Sequence, residues 1–146
     1  MGTQYRAGQR LTASLLTANS AQSEDTTSRT TTSTSYTDAS GGAFSAAVVV
    51  PSSGWVMVEM RSTQRNSAGN NTLTSWNGSG SSSGTVYSAN DTASLAVNGT
   101  QNQAVDLSYR LTGLIPGETL TVTMVHRVGA TTGTFDYRQI ILTGMP

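Results

Sequence analysis

The sequence predicts an all-β fold: an antiparallel β-sandwich, jelly-roll-like, of about eight strands, preceded by an N-terminal arm with one short helix. Three observations lead there. After residue 19 the apolar residues recur with period two rather than in a helical period. Turn dipeptides separate these runs, among them Pro51-Ser52, Asn98-Gly99 and Pro116-Gly117. And 36% of the 146 residues are hydrophobic while the formal net charge is +0, which favours one folded domain with a core over a disordered chain.

The helix comes first. Thr12 suits an N-cap, because its hydroxyl accepts a bond from an early helical N–H. Leu11 and Leu16 then stand at the spacing of a hydrophobic staple, and Leu15 and Leu16 make a narrow apolar patch. Asn19 stops it. A helix of about two turns is marginal alone, so it needs a surface to lie on. Another polypeptide and its own β body both fit. Ser20–Asp25 reads as a linker, which divides the chain into an arm, 1–25, and a sandwich, 26–146.

In the sandwich, Thr26–Tyr36 is dominated by Ser and Thr, and reads as an edge or inter-subunit strand, or as an extended linker. Ala43–Val50 is a strand ended by Pro51. Trp55–Arg61 follows, with Trp55, Met57 and Glu59 on one face and Val56, Val58 and Met60 on the other. Apolar residues on both faces predict a central, sandwiched strand. Asn66–Gly84, rich in Asn, Gly and Ser, reads as a long loop, with Leu73 and Trp76 in a possible short strand. Thr85–Tyr87 and Ala93–Val97 are short strands. Ala104–Leu111 alternates, with Val105, Leu107, Tyr109 and Leu111 inward. Leu120–Val128 does the same, with Val122, Met124, His126 and Val128 inward. Thr134–Leu142 closes the fold, with Phe135, Tyr137, Gln139 and Ile141 on one face.

Composition excludes several functions. Charged residues make up 11% of the chain, too few for a phosphate-neutralising surface or a polybasic membrane patch, so no nucleic acid and no membrane insertion are expected. Cysteine is absent, which removes disulfides and thiolate metal sites. The polar start, Met1–Arg6, carries no apolar leader signal. The sequons at Asn70, Asn77, Asn90 and Asn98 follow from an Asn/Ser/Thr-rich composition.

No residue cluster resembles an active site, and no cofactor or metal is expected. His126, the sole histidine, lies on an apolar strand face and reads as a hydrogen-bonded core or subunit-interface residue. A calcium site would have to draw on Asp91, Asp106 or Asp136 without a loop motif to arrange them. Asp106 and Asp136 could neighbour one another on adjacent strands, as paired catalytic carboxylates require. Glu59 with Arg61, and Asp106 with Arg110, suit cross-strand ion pairs. Trp76 and Tyr87 flank the Ser/Gly loop. They form a candidate ligand contact that would stack on a sugar ring; the plainer reading has Trp76 pinning the loop to the body.

The segment Tyr5-Arg6-Ala7-Gly8-Gln9-Arg10-Leu11-Thr12-Ala13, followed by Leu15 and Leu16, resembles the N-terminal docking segment of small virion structural proteins from phages of GC-rich Gram-positive bacteria. Val50–Val58, Leu111–Thr119 and Gly133–Arg138 resemble β-sandwich modules of phage appendages. The resemblance implies a non-enzymatic component of the virion surface, made in the host cytoplasm and assembled as a homotrimer. Its arm, through Tyr5, Arg6, Leu11, Leu15 and Leu16, would dock on a major capsid protein or a tail protein. Capsid decoration or a head fibre is the first expectation; a tail or baseplate appendage binding a host surface glycan is the second.

Overall fold

A computed structural model describes residues 19–145 of the chain. The predicted helix lies outside them. The described residues form ten strands: β1 (Ser20–Asp25), β2 (Arg29–Thr31), β3 (Phe44–Val49), β4 (Trp55–Asn66), β5 (Asn71–Gly80), β6 (Gly84–Tyr87), β7 (Leu95–Asn98), β8 (Gln103–Leu111), β9 (Thr119–Val128) and β10 (Gly133–Met145). They make two five-stranded antiparallel sheets. Sheet I has the order β1-β10-β4-β8, with β2 also on β10; sheet II has the order β3-β9-β5-β6, with β7 also on β5. The chain crosses between the sheets at β2–β3, β3–β4, β4–β5, β7–β8, β8–β9 and β9–β10, so neither sheet is a simple meander.

Four departures from expectation have physical causes. Ser20–Asp25 is a strand on β10 and not a linker. Ala21 is its one apolar residue, so its sequence carried no strand pattern. Asn66–Gly84 is not a loop, because β5 occupies most of it and lies between β9 and both β6 and β7. Strand β4 runs on to Asn66, since its inward positions continue past Met60 as Ser62, Gln64 and Asn66, all buried. It is central in sheet I but covered on one face only: Trp55 stays 42% exposed. Finally, the inward set of β10 is Phe135, Arg138, Ile140 and Leu142. The register with β4 shifts between Phe135 and Tyr137, leaving Asp136 as an extra residue. A one-residue bulge inverts every side chain beyond it, so Tyr137, Gln139 and Ile141 face outward.

The long axis of the sandwich has two unlike halves. Near the end where Asn19 joins β10 (the Gly144 N–H donates to the Asn19 carbonyl), the core is apolar: Val56, Val58, Met60, Leu120, Val122, Met124, Ile140 and Leu142. Each such side chain contributes about 1.5–3 kcal/mol on burial. Toward the other end β4, β5 and β9 bury Ser62, Gln64, Asn66, Thr72, Thr74 and His126 alongside Val97, Val128 and Phe135. At the arm end, Gly54 turns the chain into β4 with φ of +70°, and a Cβ there would meet the Leu114 carbonyl oxygen at 2.7 Å.

Candidate functional site

The polar half-core is organised as one directional chain of hydrogen bonds running from sheet I to sheet II and back. The bulge at Asp136 turns Arg138 inward, where Arg138 Nη1 lies 3.2 Å from His126 Nε2. A guanidinium only donates, so Nε2 accepts and the ring proton sits on Nδ1. His126 Nδ1 then donates to Thr74 Oγ1 at 2.8 Å. Thr74 Oγ1 donates to Gln64 Oε1 at 2.7 Å. Gln64 Nε2 donates to the carbonyls of Thr72 at 2.9 Å and Leu95 at 3.0 Å. At the other end, Arg138 Nη2 and Arg29 Nε both donate to Asp25 Oδ2. The Phe44 ring lies 4.7 Å from the Arg138 guanidinium carbon, and the His126 ring packs against Phe135.

Burial, and then the Arg138 charge, push His126 down to about 3. Burial pulls Asp25 up. The Arg138 hydrogen bond, the Thr27 N–H and Arg29 outweigh it and hold the carboxyl well below its usual range. At neutral pH the histidine is therefore uncharged, fully buried, and bonded through both nitrogens. That arrangement fixes strand positions and offers no free lone pair to a substrate proton. Asn66 does the equivalent work for the far turns. Its Oδ1 accepts from Ala68 N, Asn70 N and Thr131 Oγ1, and its Nδ2 donates to the Ala130 carbonyl.

Around this core three more carboxylates are held by internal hydrogen bonds. Arg127 grips Asp91 through both Nε and Nη2, and Tyr36 donates its hydroxyl to the same carboxylate at 2.9 Å. Arg127 and then Tyr36 lower Asp91. Asp136, the bulge residue, accepts from Ser28 Oγ and from Arg65, each at 2.6 Å. The Glu118 side chain, near the arm end, accepts from the N–H groups of Ser82, Ser83 and Ile115 and so ties two turns together.

The outer face of sheet I differs. Two adjoining recesses of about 350 and 240 Å³ cross β10, β4 and β8 there; both are lined by Arg61 and Asp106, the larger also by Thr63 and Tyr137, the smaller by Glu59 and Gln139. Trp55 is exposed at the arm end of this face with the Arg110 guanidinium 4.9 Å over its ring.

The sequence-predicted residues fall in different places. Tyr5, Arg6, Leu11, Leu15 and Leu16 lie outside the described residues. Trp76 is 0% exposed. It stacks on Tyr87 at 3.8 Å between centroids and meets Tyr109 edge-on at 5.5 Å. Its ring serves packing, and neither face is open to a ligand; Tyr87 is half-buried beside it. His126 is a hydrogen-bonded core residue, as its strand position indicated. Asp106 and Asp136 are not on neighbouring strands, because β4 lies between β8 and β10. Arg61 and Asp106 face each other in the β4–β8 register, yet the ion pairs form elsewhere, at Arg29–Asp25, Arg65–Asp136, Arg127–Asp91 and Arg138–Asp25. Among the described residues no group of three or more His, Asp or Glu side chains could hold a metal ion. The polar chain through Arg138, Thr74 and Gln64 was not foreseen. Inward Ser, Thr and Gln on a strand carry no apolar signal, and the bulge hid Arg138.

No family model and no curated protein sequence matches the chain. Among solved structures, it is similar to Eiger TNF from S. frugiperda, with a TM-score of 0.54 and 12% identity, covering 88% of this chain and 93% of that one. At this identity the likeness establishes the fold, a two-sheet β-sandwich. Looser likenesses are to the xylan-binding domain of Xyn10C from Paenibacillus barcinonensis, with a TM-score of 0.37, 14% identity and coverage of 86% and 87%. The tailspike protein 4 of bacteriophage CBA120 gives a TM-score of 0.33 and 12% identity, covering 83% of this chain and 19% of that one.

Proposed function

We propose that the protein is a non-enzymatic structural component of a phage virion. It is a trimeric β-sandwich that projects outward from the particle, docked by its N-terminal arm as a capsid decoration or head-fibre protein. The observation that carries this reading is the polarity of the body. Residues 1–18 join the sandwich at one end of its long axis, where Asn19 meets Gly144. The turns at 66–71, 98–103 and 129–133 lie at the other end. Strand β4 has twelve residues; at about 3.3 Å each, the far turns stand roughly 40 Å from the tether. A body attached at one pole and rigid along its length suits display. The hydrogen bonds that His126, Asp91, Asp136 and Glu118 make within the protein support a passive role.

The attachment follows from the sequence of the arm. Tyr5, Leu11, Leu15 and Leu16 supply apolar area, and Arg6 a donor fork, to a groove on a capsid or tail protein. Several arms on one oligomer would turn a weak single contact into durable binding. Deleting residues 1–19 tests this. The truncated protein is expected to stay folded by circular dichroism and to cease co-sedimenting with its particle. Retained co-sedimentation would refute docking through the arm. In the second reading, a tail appendage that binds a host surface glycan, the ligand would lie on the outer face of sheet I, whose recesses bring Arg61, Asp106 and Tyr137 together.

A further inference from the structure

We propose that the outer face of sheet I is the surface through which copies of this chain associate. The inference rests on the proposed function only in that the chain assembles: one face meeting the same face of a second copy makes a two-fold pair, so this contact is separate from the one that would close the trimer. Charge is the main argument. Of the six arginines among the described residues, Arg29, Arg65, Arg127 and Arg138 are in ion pairs. The remaining two, Arg61 and Arg110, both lie on this face. Of the acids, Asp25, Asp91 and Asp136 are in those ion pairs, and Glu118 is capped by backbone N–H groups. Three of the four left over, Glu24, Glu59 and Asp106, lie on the same face, in register with Gln139, Ile141 and Arg61.

A protein that elsewhere pairs its charges so thoroughly has left both signs unpaired on one surface. Such a surface is complementary to itself: a second copy can present an acid to each of the two arginines. A nucleic acid or an anionic lipid would need one sign only. Apolar area accompanies the charges. Trp55 is 42% exposed, and Met57 and Ile141 are partly open on the same side of the sheet. Four strands at about 4.8 Å spacing and roughly nine residues of length give a flat patch of about 19 by 30 Å. Once side-chain relief is added, that approaches the ~800 Å² per partner of a stable interface.

The test uses the full chain and reads mass, so it is independent of whether the protein binds a particle. Wild type is expected to be oligomeric by sedimentation velocity and native mass spectrometry. The double variant Arg61→Glu/Arg110→Glu leaves only acids on the face, and Glu59→Arg/Asp106→Arg leaves four arginines against Glu24 alone. Each is expected to keep its circular dichroism spectrum and to associate at least tenfold more weakly than wild type. An equimolar mixture of the two is expected to associate again, which simple damage to folding would not produce. The proposal is overturned by a wild type that stays monomeric throughout, or by double variants that associate as wild type does. It is also overturned if only the chain lacking residues 1–19 associates, which would make that segment the occupant. Glycan-array binding by monomeric wild type, lost in Tyr137→Ala, would instead assign the face to a saccharide.

Discussion

Replacing Thr74 by valine tests whether the buried polar chain holds the sandwich together. The two side chains have nearly the same shape, and valine favours a strand, so the change removes a hydroxyl and little else. That hydroxyl accepts from His126 Nδ1 at 2.8 Å and donates to Gln64 Oε1 at 2.7 Å. Thr74, His126 and Gln64 are each 0% exposed, so water cannot stand in. Neither partner can turn to recover a bond. Flipping the Gln64 amide would break its bonds to the Thr72 and Leu95 carbonyls. Flipping the His126 ring would displace the acceptor that faces Arg138. Two buried polar groups are thus left unpaired, at about 1–3 kcal/mol each. With the added methyl recovering part of this, the expected loss is about 3 kcal/mol, a large share of a typical 5–15 kcal/mol stability. The assay is urea unfolding followed by fluorescence and circular dichroism, with the midpoint read at unchanged slope. Thr74→Ser, which keeps the hydroxyl, should recover much of the loss. Ser79→Ala, an exposed site on the same strand, should fall within about 0.5 kcal/mol of wild type. If Thr74→Val also fell within that margin, the chain would be an incidental alignment and the reasoning would fail.

Two further outcomes follow from the structure. Asp25 and His126 both have folded-state values below their ordinary ones of 3.8 and 6.5, so both contribute stability that is present at neutral pH and lost on acidification. For His126 the loss should begin as pH falls below 6.5 and continue toward 3; a urea midpoint unchanged between pH 7 and pH 4 would contradict it. At Gly54, alanine would have to adopt φ of +70° with its Cβ 2.7 Å from the Leu114 carbonyl oxygen, so Gly54→Ala should cost about 1–3 kcal/mol by the same assay.

The sequence disclosed the apolar half of this molecule and concealed the polar half. Strand β3, the start of β4, and strands β8 and β9 were legible because Val, Leu and Met alternate along them. The alternation in β4 does not stop at Arg61. It continues in Ser62, Gln64 and Asn66, which a hydrophobic pattern cannot register. The same blindness turned β5 into a loop, since Thr72, Thr74, Gly78 and Gly80 fill its inward positions beside Trp76. Both readings of Trp76 set it beside a loop, whereas it is a core residue of strand β5. The β10 face was inverted because nothing in Phe135-Asp136-Tyr137-Arg138 announces a bulge. Unequal strand lengths and the inward polar residues of β4 were the available hints.

Strand β1, the bulge and the buried histidine are best understood as parts of one device. A bulge in β10 is costly unless its consequences are satisfied, and its first consequence is an arginine turned into the core. Arg138 needs acceptors there, and finds them for Nη1 and Nη2 while its Nε is buried without a partner among the described residues. Neutral His126 provides one through Nε2, which is why burial that keeps the imidazole uncharged is compatible with a guanidinium at 3.2 Å. Asp25 provides the other and carries the neutralising charge. Asp25 reaches that position only because Ser20–Asp25 pairs with β10. With Ala21 as its single apolar residue, β1 is held chiefly by backbone hydrogen bonds and this ion pair. The extra residue that makes the bulge, Asp136, is fixed in turn by Ser28 and Arg65. The bulge also turns Tyr137, Gln139 and Ile141 outward, onto the face that carries the unpaired charges. The same one-residue insertion therefore sets the polar core on one side of sheet I and the composition of the proposed assembly surface on the other.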